Sequence, residues 1–192
     1  MNKYVVGVDL GGTKISTALA DFEGNVIAQS TIPTNAHEGE QKVLERIINN
    51  IQRVIDEGDT SIEHIEAIGI GSPGPLDSKE GVIITTPNLP FTNFNLVKPL
   101  KDKFNVPVFL DNDANVAAIG EYMLGAGKGK KNMVYFTVST GVGGGAIVDG
   151  NICRGNTSNA LEIGHITVSP FGPRCNCGNV GCLEAISSGT AI

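Results

Sequence analysis

Between residues 162 and 184 the chain reads E-I-G-H-I-T-V-S-P-F-G-P-R-C-N-C-G-N-V-G-C-L-E, which gathers His165, Cys175, Cys177 and Cys182 on one short stretch. Three soft thiolates and one imidazole are a complete ligand set for tetrahedral zinc. Four protein ligands leave no coordination position for water, so this Zn2+ is expected to be structural rather than catalytic. One ring nitrogen of His165 would bind the metal, and the other is left to donate a hydrogen bond. Glu162 and Glu184 bracket the cluster, and a metal loop that also fixes carboxylates can build part of a binding site. Cys153 stands apart from the cluster, and in a chain lacking a secretory signal the pattern favours metal over disulfides.

A second constellation is Asp111-Asn112-Asp113-Ala114-Asn115, where a strand gives way to a helix. Helix capping would employ one of these side chains, but it does not need so many polar groups in one short run. A carboxylate here can accept a proton from a substrate hydroxyl while Asn112 hydrogen-bonds a neighbouring hydroxyl. Asp9-Leu10-Gly11-Gly12-Thr13-Lys14 is a glycine turn whose backbone N–H groups could approach phosphate oxygens. Thr13 adds a hydroxyl, Lys14 a charge, and Asp9 could hold a hydrated Mg2+. The plain alternative is an ordinary hairpin turn. A similar turn, Ser139-Thr140-Gly141-Val142-Gly143-Gly144-Gly145, weakens that alternative, because two such hairpins could clamp a polyphosphate from both sides. Gly69-Ile70-Gly71-Ser72-Pro73-Gly74 formally fits a dinucleotide fingerprint, but Pro73 and Pro75 disfavour the helix that motif must open. It reads instead as a rigid loop at a strand end, whose backbone or Ser72 could touch a substrate.

The elements that must position these residues follow from periodicity. Tyr4–Leu10, Lys14–Ala20 and Val26–Ile32 have strand composition and are separated by turn residues. Gln41–Ile55 is an amphipathic helix with Val43, Ile47, Ile51, Val54 and Ile55 on one face and Gly58 as its stop. Ile65–Ile70 and Val106–Leu110 are further strands, with a short helix over Leu96–Lys103 between them. A helix capped by Asp111 or Asn112 is predicted to run to about Leu124, burying Val116, Ile119 and Met123. The order β-β-β-α-β-α-β-α predicts a mixed sheet with helices packed on it. A new unit starts at Met133 with strand, glycine turn, strand and Asp149-Gly150-Asn151, repeating the opening of the first. The sequence ends before that second unit acquires helices. This predicts an N-terminal portion of a longer protein, with a domain over 1–125 and the start of another over 126–192.

Composition narrows the function class. The chain has 192 residues, 41% of them apolar, and a net charge of −6, which argues against binding nucleic acid or anionic membrane without specificity. Its 25 glycines cluster in motifs rather than in low-complexity tracts. Lys128, Lys130 and Lys131 read as a solvated loop. No apolar run approaches membrane-spanning length, and with no signal peptide the protein is expected to be cytoplasmic.

Taken together, D-L-G-G-T-K at 9–14, G-S-P-G-P at 71–75, D-N-D-A-N at 111–115, S-T-G-V-G-G-G at 139–145, E-I-G-H at 162–165 and C-N-C-G-N-V-G-C-L-E at 175–184 resemble the ROK family of repressors, open reading frames and kinases. The resemblance implies an α/β, actin-like ATPase (ribonuclease H-like) fold and ATP-dependent phosphorylation of a hexose, most often glucose at its 6-hydroxyl. It implies zinc at His165, Cys175, Cys177 and Cys182, and Mg2+ with ATP. By the same resemblance Asp113 is the catalytic base and Asn112 a sugar contact, while Glu162, His165 and Glu184 bind sugar hydroxyls. Asp9, Gly11, Gly12, Thr13 and Lys14, with Thr140, Gly141, Gly143 and Gly144, would form the phosphate loops. ROK kinases are longer than this chain, so the fragment alone is expected to be inactive and the full-length protein to be a homodimer. ROK repressors carry an N-terminal DNA-binding helix-turn-helix, which this sequence lacks. The alternatives are a sugar-sensing ROK regulator or binding module, or a ROK kinase for N-acetylmannosamine, fructose or allose.

Overall fold

Strict alternation of buried and outward residues makes Tyr4–Leu10 (β1) a strand covered on one face, with Val6, Val8 and Leu10 inside. The computed structural model describes residues 3–86 and 88–192. Lys14–Asp21 (β2) and Val26–Pro33 (β3) continue the sheet antiparallel to β1 and to each other. Glu40–Glu57 (α1) then lies on this sheet. Its period places Val43, Ile47, Ile51, Val54 and Ile55 in the core, as the sequence predicts, Leu44 joins them, and Gly58 ends it with an N–H bond to the Val54 carbonyl. Ile65–Ser72 (β4) pairs parallel to β1. Leu76–Asp77 (β5), Val82–Thr85 (β6) and Thr92–Asn95 (β7) form a small separate antiparallel sheet that the sequence did not announce. Val97–Phe104 (α2) follows, close to its expected span, and Asn105 in the left-handed region caps it. Val108–Asn112 (β8) completes the main sheet, parallel to β4, in the order β3-β2-β1-β4-β8. No helix opens after Gly69-x-Gly71, so the dinucleotide fingerprint is formal only.

Two compact units divide the chain, Met1–Asp113 and Ala114–Ile192. The helix Asp113–Met123 (α3) thus belongs almost entirely to the second unit, whereas the sequence reading grouped it with the first domain to residue 125. Its buried face also differs from expectation. Ala114, Asn115 and Ala118 are buried, while Val116 and Met123 are exposed. The reason lies in the strand beneath it. Met133–Val138 (β9), Val142–Val148 (β10) and Asn151–Ile152 (β11) form an antiparallel sheet in the order β11-β10-β9. A Cβ at Gly145 would stand 2.7 Å from the Ala118 Cβ, and one at Gly143 3.5 Å from that of Ala114. Helix and strand backbones approach so closely that only small residues fit between them. Lys128, Lys130 and Lys131 are exposed, as expected of a solvated loop. Among the described residues no helix is long and apolar enough to cross a membrane.

Candidate metal centre and glycine turns

In the first unit the glycine turn joins β1 to β2. Gly11 N–H donates to the Lys14 carbonyl at 3.0 Å, closing the turn, and Asp9, Thr13 and Lys14 are exposed on it. Gly12 is required by its neighbour, since a Cβ there would meet the Asn88 Cβ at 2.6 Å. Thr34, fully buried just after β3, fastens the turn: its N–H donates to the Thr13 carbonyl at 2.9 Å and its hydroxyl to the Gly11 carbonyl at 2.6 Å. Sequence reasoning missed Thr34, and Pro33 directly before it was the one available sign of a chain reversal. At the same end of the sheet, where the parallel strands β1, β4 and β8 all finish, Ser72 and Asn112 are register partners on β4 and β8, and Asp113 begins α3, exposed. Asp111 is buried and its carboxylate accepts the N–H of Asn112 at 2.8 Å. Ser72 is fully buried and its hydroxyl donates to the Pro73 carbonyl, so its visible role is to brace the loop.

The metal residues of the second unit converge as the sequence predicts. One ligand atom from each of His165, Cys175, Cys177 and Cys182 lies within 4.8 Å of the others. Cys177 Sγ and Cys182 Sγ are 3.7 Å apart, and Cys175 Sγ is 3.6 Å from His165 Nδ1. Tetrahedral zinc with ordinary bond lengths sets S···S edges of about 3.8 Å and S···N edges of about 3.6 Å, so the donor set fits that ion. His165 turns Nδ1 to the sulfurs and Nε2 to Glu162 Oε2 at 3.9 Å, which identifies the nitrogen that would bind metal. Burial, with the thiols of Cys177 and Cys175 beside it, pushes the Cys182 thiol up to about 11. The Asn179 backbone N–H and the Cys175 thiol hold exposed Cys177 below the usual thiol range. Buried thiols massed without a counter-charge are costly to ionise, and a cation is what relieves that cost.

Backbone pairing shapes this loop. Cys175 N–H bonds the Asn179 carbonyl at 2.8 Å and Gly178 N–H the Cys175 carbonyl at 3.0 Å, bending the C-N-C-G-N segment into a knuckle. Gly181 has φ +70, and a Cβ there would overlap the Ser169 carbonyl, so glycine is obligatory. Leu183–Ser187 (α4) follows directly after Cys182. Glu184 on α4 faces two ways. Its Oε1 is 3.8 Å from Cys175 Sγ, and its Oε2 accepts the N–H of Val142 at 2.9 Å.

That last contact explains part of the second glycine turn. A Cβ on Gly141 would stand 2.5 Å from Glu184 Oε2, and one on Gly144 2.5 Å from Ile163 Cδ1. The glycines at 143 and 145 admit α3. Before any ligand is considered, packing therefore demands glycine at 144 and 145, where a Cβ would also meet the Tyr135 and Ala114 carbonyl oxygens at 3.0 Å. At 141 a Cβ would displace only the end of the Glu184 side chain, and at 143 it would make contacts of 3.3 Å and longer. Gly164 packs so tightly on the Val142 carbonyl that no side chain fits. The candidate residues fall into two sets: Asp9 to Lys14, Ser72, Asn112 and Asp113 in the first unit, and Thr140 to Gly144, Glu162, His165 and Glu184 around the metal donors in the second.

The ROK family model matches residues 5–192. The chain belongs to the ROK family. Among its ROK relatives, the glucokinase of Halalkalibacterium halodurans is 41% identical over 192 residues, which is 100% of this chain and 58% of that protein. The xylose repressor of Bacillus subtilis is 36% identical over 191 residues, 98% of this chain and 49% of the repressor. Of solved structures, the ROK hexokinase of Thermus thermophilus superposes with a TM-score of 0.86 at 43% identity, covering 98% of this chain and 61% of that one. The ROK family glucokinase of Streptomyces griseus, solved in complex with glucose and AMPPNP, gives 0.84 at 34% identity over 98% of this chain and 58% of that one. The chain thus has the actin-like ATPase fold of ROK kinases and corresponds to their N-terminal part.

Proposed function

We propose that the protein carrying this chain is an ATP-dependent hexose kinase that phosphorylates glucose at its 6-hydroxyl. The observation that carries this reading is the metal cluster with its three sugar-binding candidates: His165 supplies a ring nitrogen, Glu162 faces the other nitrogen, and Glu184 lies beside Cys175. A cluster that rigidifies carboxylates and an imidazole together is suited to hydrogen-bond a polyol. Glu162, His165 and Glu184 would bind sugar hydroxyls, and Asn112 would orient the hydroxyl that reacts. Asp113 would accept the proton of that hydroxyl as its oxygen attacks the γ-phosphorus of ATP. The turns at Gly11, Gly12, Thr13 and Lys14 and at Thr140, Gly141, Gly143 and Gly144 would direct N–H groups at the phosphates, with Asp9 toward hydrated Mg2+. Mg2+ would supply charge neutralisation between the phosphates, and Zn2+ in the Cys3His site would supply rigidity. The working form would be a cytoplasmic homodimer.

Sugar-dependent ADP release from the full-length protein with glucose and Mg-ATP tests this reading. Asp113→Asn should lower turnover by about two to four orders of magnitude, with glucose affinity within about threefold because the asparagine keeps the shape and a hydrogen-bonding oxygen. Turnover unaffected by Asp113→Asn overturns the role of Asp113. The xylose repressor match favours a second reading, a sugar-sensing regulator, and sugar binding with no phosphoryl transfer in the same assay would select it. A panel with N-acetylmannosamine, fructose and allose assigns the sugar.

A further inference from the structure

We propose that residues 183–190 act as a strap through which the metal loop sets the direction of the N–H groups in the 139–142 turn, so that metal occupancy controls nucleotide affinity as well as sugar affinity. The strap begins at Cys182, a metal donor and the residue immediately before α4. It then makes three bonds to the turn. Glu184 Oε2 accepts the Val142 N–H at 2.9 Å, Gly189 N–H donates to the Ser139 carbonyl at 2.6 Å, and Thr190 Oγ1 donates to the Thr140 carbonyl at 3.0 Å. Buried Ser188 stiffens the strap, with its N–H on the Glu184 carbonyl at 3.0 Å and its hydroxyl 3.0 Å from Thr190 Oγ1. From the other flank of the metal site, Gly164 presses on the Val142 carbonyl one residue before His165. Both arms leaving the metal cluster therefore grip Val142.

Peptide geometry gives this grip a consequence. In a planar trans peptide the C=O and N–H vectors are opposed. The Ser139 carbonyl shares its peptide with the Thr140 N–H, and the Thr140 carbonyl shares its peptide with the Gly141 N–H. Holding both carbonyls against Gly189 and Thr190 aims both N–H groups away from the strap. Two successive amides so directed are the concave donor pair that receives an anionic oxygen. Ser139 N–H bonds the Gly141 carbonyl at 2.9 Å and closes the turn, but it does not itself fix those two peptide planes. The strap does, and it is anchored at Cys182. Thr190 and Gly189 are thus positioning residues; that the turn holds nucleotide phosphates rests on the kinase reading.

Hydrogen–deuterium exchange of the 139–145 segment in the full-length protein, with zinc bound and after chelation, tests the coupling without activity. Chelation should speed exchange of the Val142 amide, the amide of that segment that donates to the strap, by about fivefold, the loss of roughly one hydrogen bond, while β9 amides stay protected. Thr190→Val should reproduce that change with zinc still bound, weaken Mg-AMPPNP about fivefold by calorimetry, and leave glucose affinity within about twofold. Thr190→Ser, which keeps the donor, should restore both readouts. Exchange in 139–145 indifferent to chelation and to Thr190→Val overturns the proposal. So does equal loss of glucose and nucleotide affinity in Thr190→Val. If exchange follows the metal but the wild type binds no Mg-AMPPNP, the coupling stands and the kinase reading falls.

Discussion

Gly178 and Gly181 lie in the same metal knuckle, both with left-handed backbone, yet alanine should be tolerated at one and not at the other. Gly178 has φ +93 and a Cβ there would meet nothing within 4 Å. Gly178→Ala therefore adds only the cost of a left-handed alanine, roughly 1–2 kcal/mol. Gly181 has φ +70, and its Cβ would overlap the Ser169 carbonyl oxygen, with the carbonyl carbon at 2.6 Å. Relief requires the two strands of the knuckle to part. That motion breaks the Gly181 N–H bond to the Pro173 carbonyl and the Val168 N–H bond to the Gly181 carbonyl, both 2.8 Å. At about 1 kcal/mol for each bond, added to the left-handed cost, Gly181→Ala should lose roughly 3–4 kcal/mol. Cys182 is the next residue, so the loss falls on metal binding. Competition against a chromophoric chelator should show Gly178→Ala weakening zinc by about tenfold and Gly181→Ala by at least about a hundredfold. Equal zinc affinities for the two variants would refute the reasoning, because the left-handed backbone is common to both and only the Ser169 contact separates them.

Three further outcomes follow from other parts of the molecule. Cys177→Ser should lose zinc and, on the kinase reading, weaken glucose together, and metal-free protein by elemental analysis with unchanged glucose affinity would contradict the link through His165. Buried Asn50 donates to Thr17 Oγ1 at 2.8 Å while its Oδ1 has no partner among the described residues. Thr17→Val should cost about 1–3 kcal/mol in urea unfolding, and adding Asn50→Leu should recover part of it, since the stranded amide is then gone and only the 3.3 Å bond to the Ser30 carbonyl is lost with it. Glu38 is held below its ordinary 4.5, first by its hydrogen bond to Arg46 and next by that from Asn35. A carboxyl lowered on folding stabilises above its unfolded pKa, and that contribution is lost as pH falls through the folded value. Glu38→Gln should accordingly flatten the acid limb of the urea midpoint between about pH 5 and pH 2, with no change in the slope near neutrality.

Local patterns were legible where local physics decides them. The core face of α1 follows from Val43, Ile47, Ile51, Val54 and Ile55, because a period of that length has one solution on a helix. The gathering of His165, Cys175, Cys177 and Cys182 was legible because they sit within one short loop. The strands β5, β6 and β7 were not, since runs of two to four residues carry no period to detect. The buried face of α3 was misread for a deeper reason. Hydropathy buries the largest apolar side chains, Val116, Ile119 and Met123, but the partner surface is a glycine strand that accepts only Ala114 and Ala118. Which face is buried was set by β10, a partner that no window around α3 contains.

The same strand shows why glycine is a poor measure of phosphate binding. Gly144 and Gly145 are demanded by protein neighbours, since a Cβ at either would meet a backbone carbonyl at 3.0 Å, of Tyr135 and Ala114 respectively. Glycines that packing already requires would stand unchanged in a protein that never met a nucleotide. What separates an anion-binding turn from a close-packed one is the direction of its N–H groups. That direction depends here on Gly189 and Thr190, about fifty positions from the turn they hold. The informative residues are therefore the hydrogen-bond donors of the strap, whose loss would turn the amides while leaving every glycine in place.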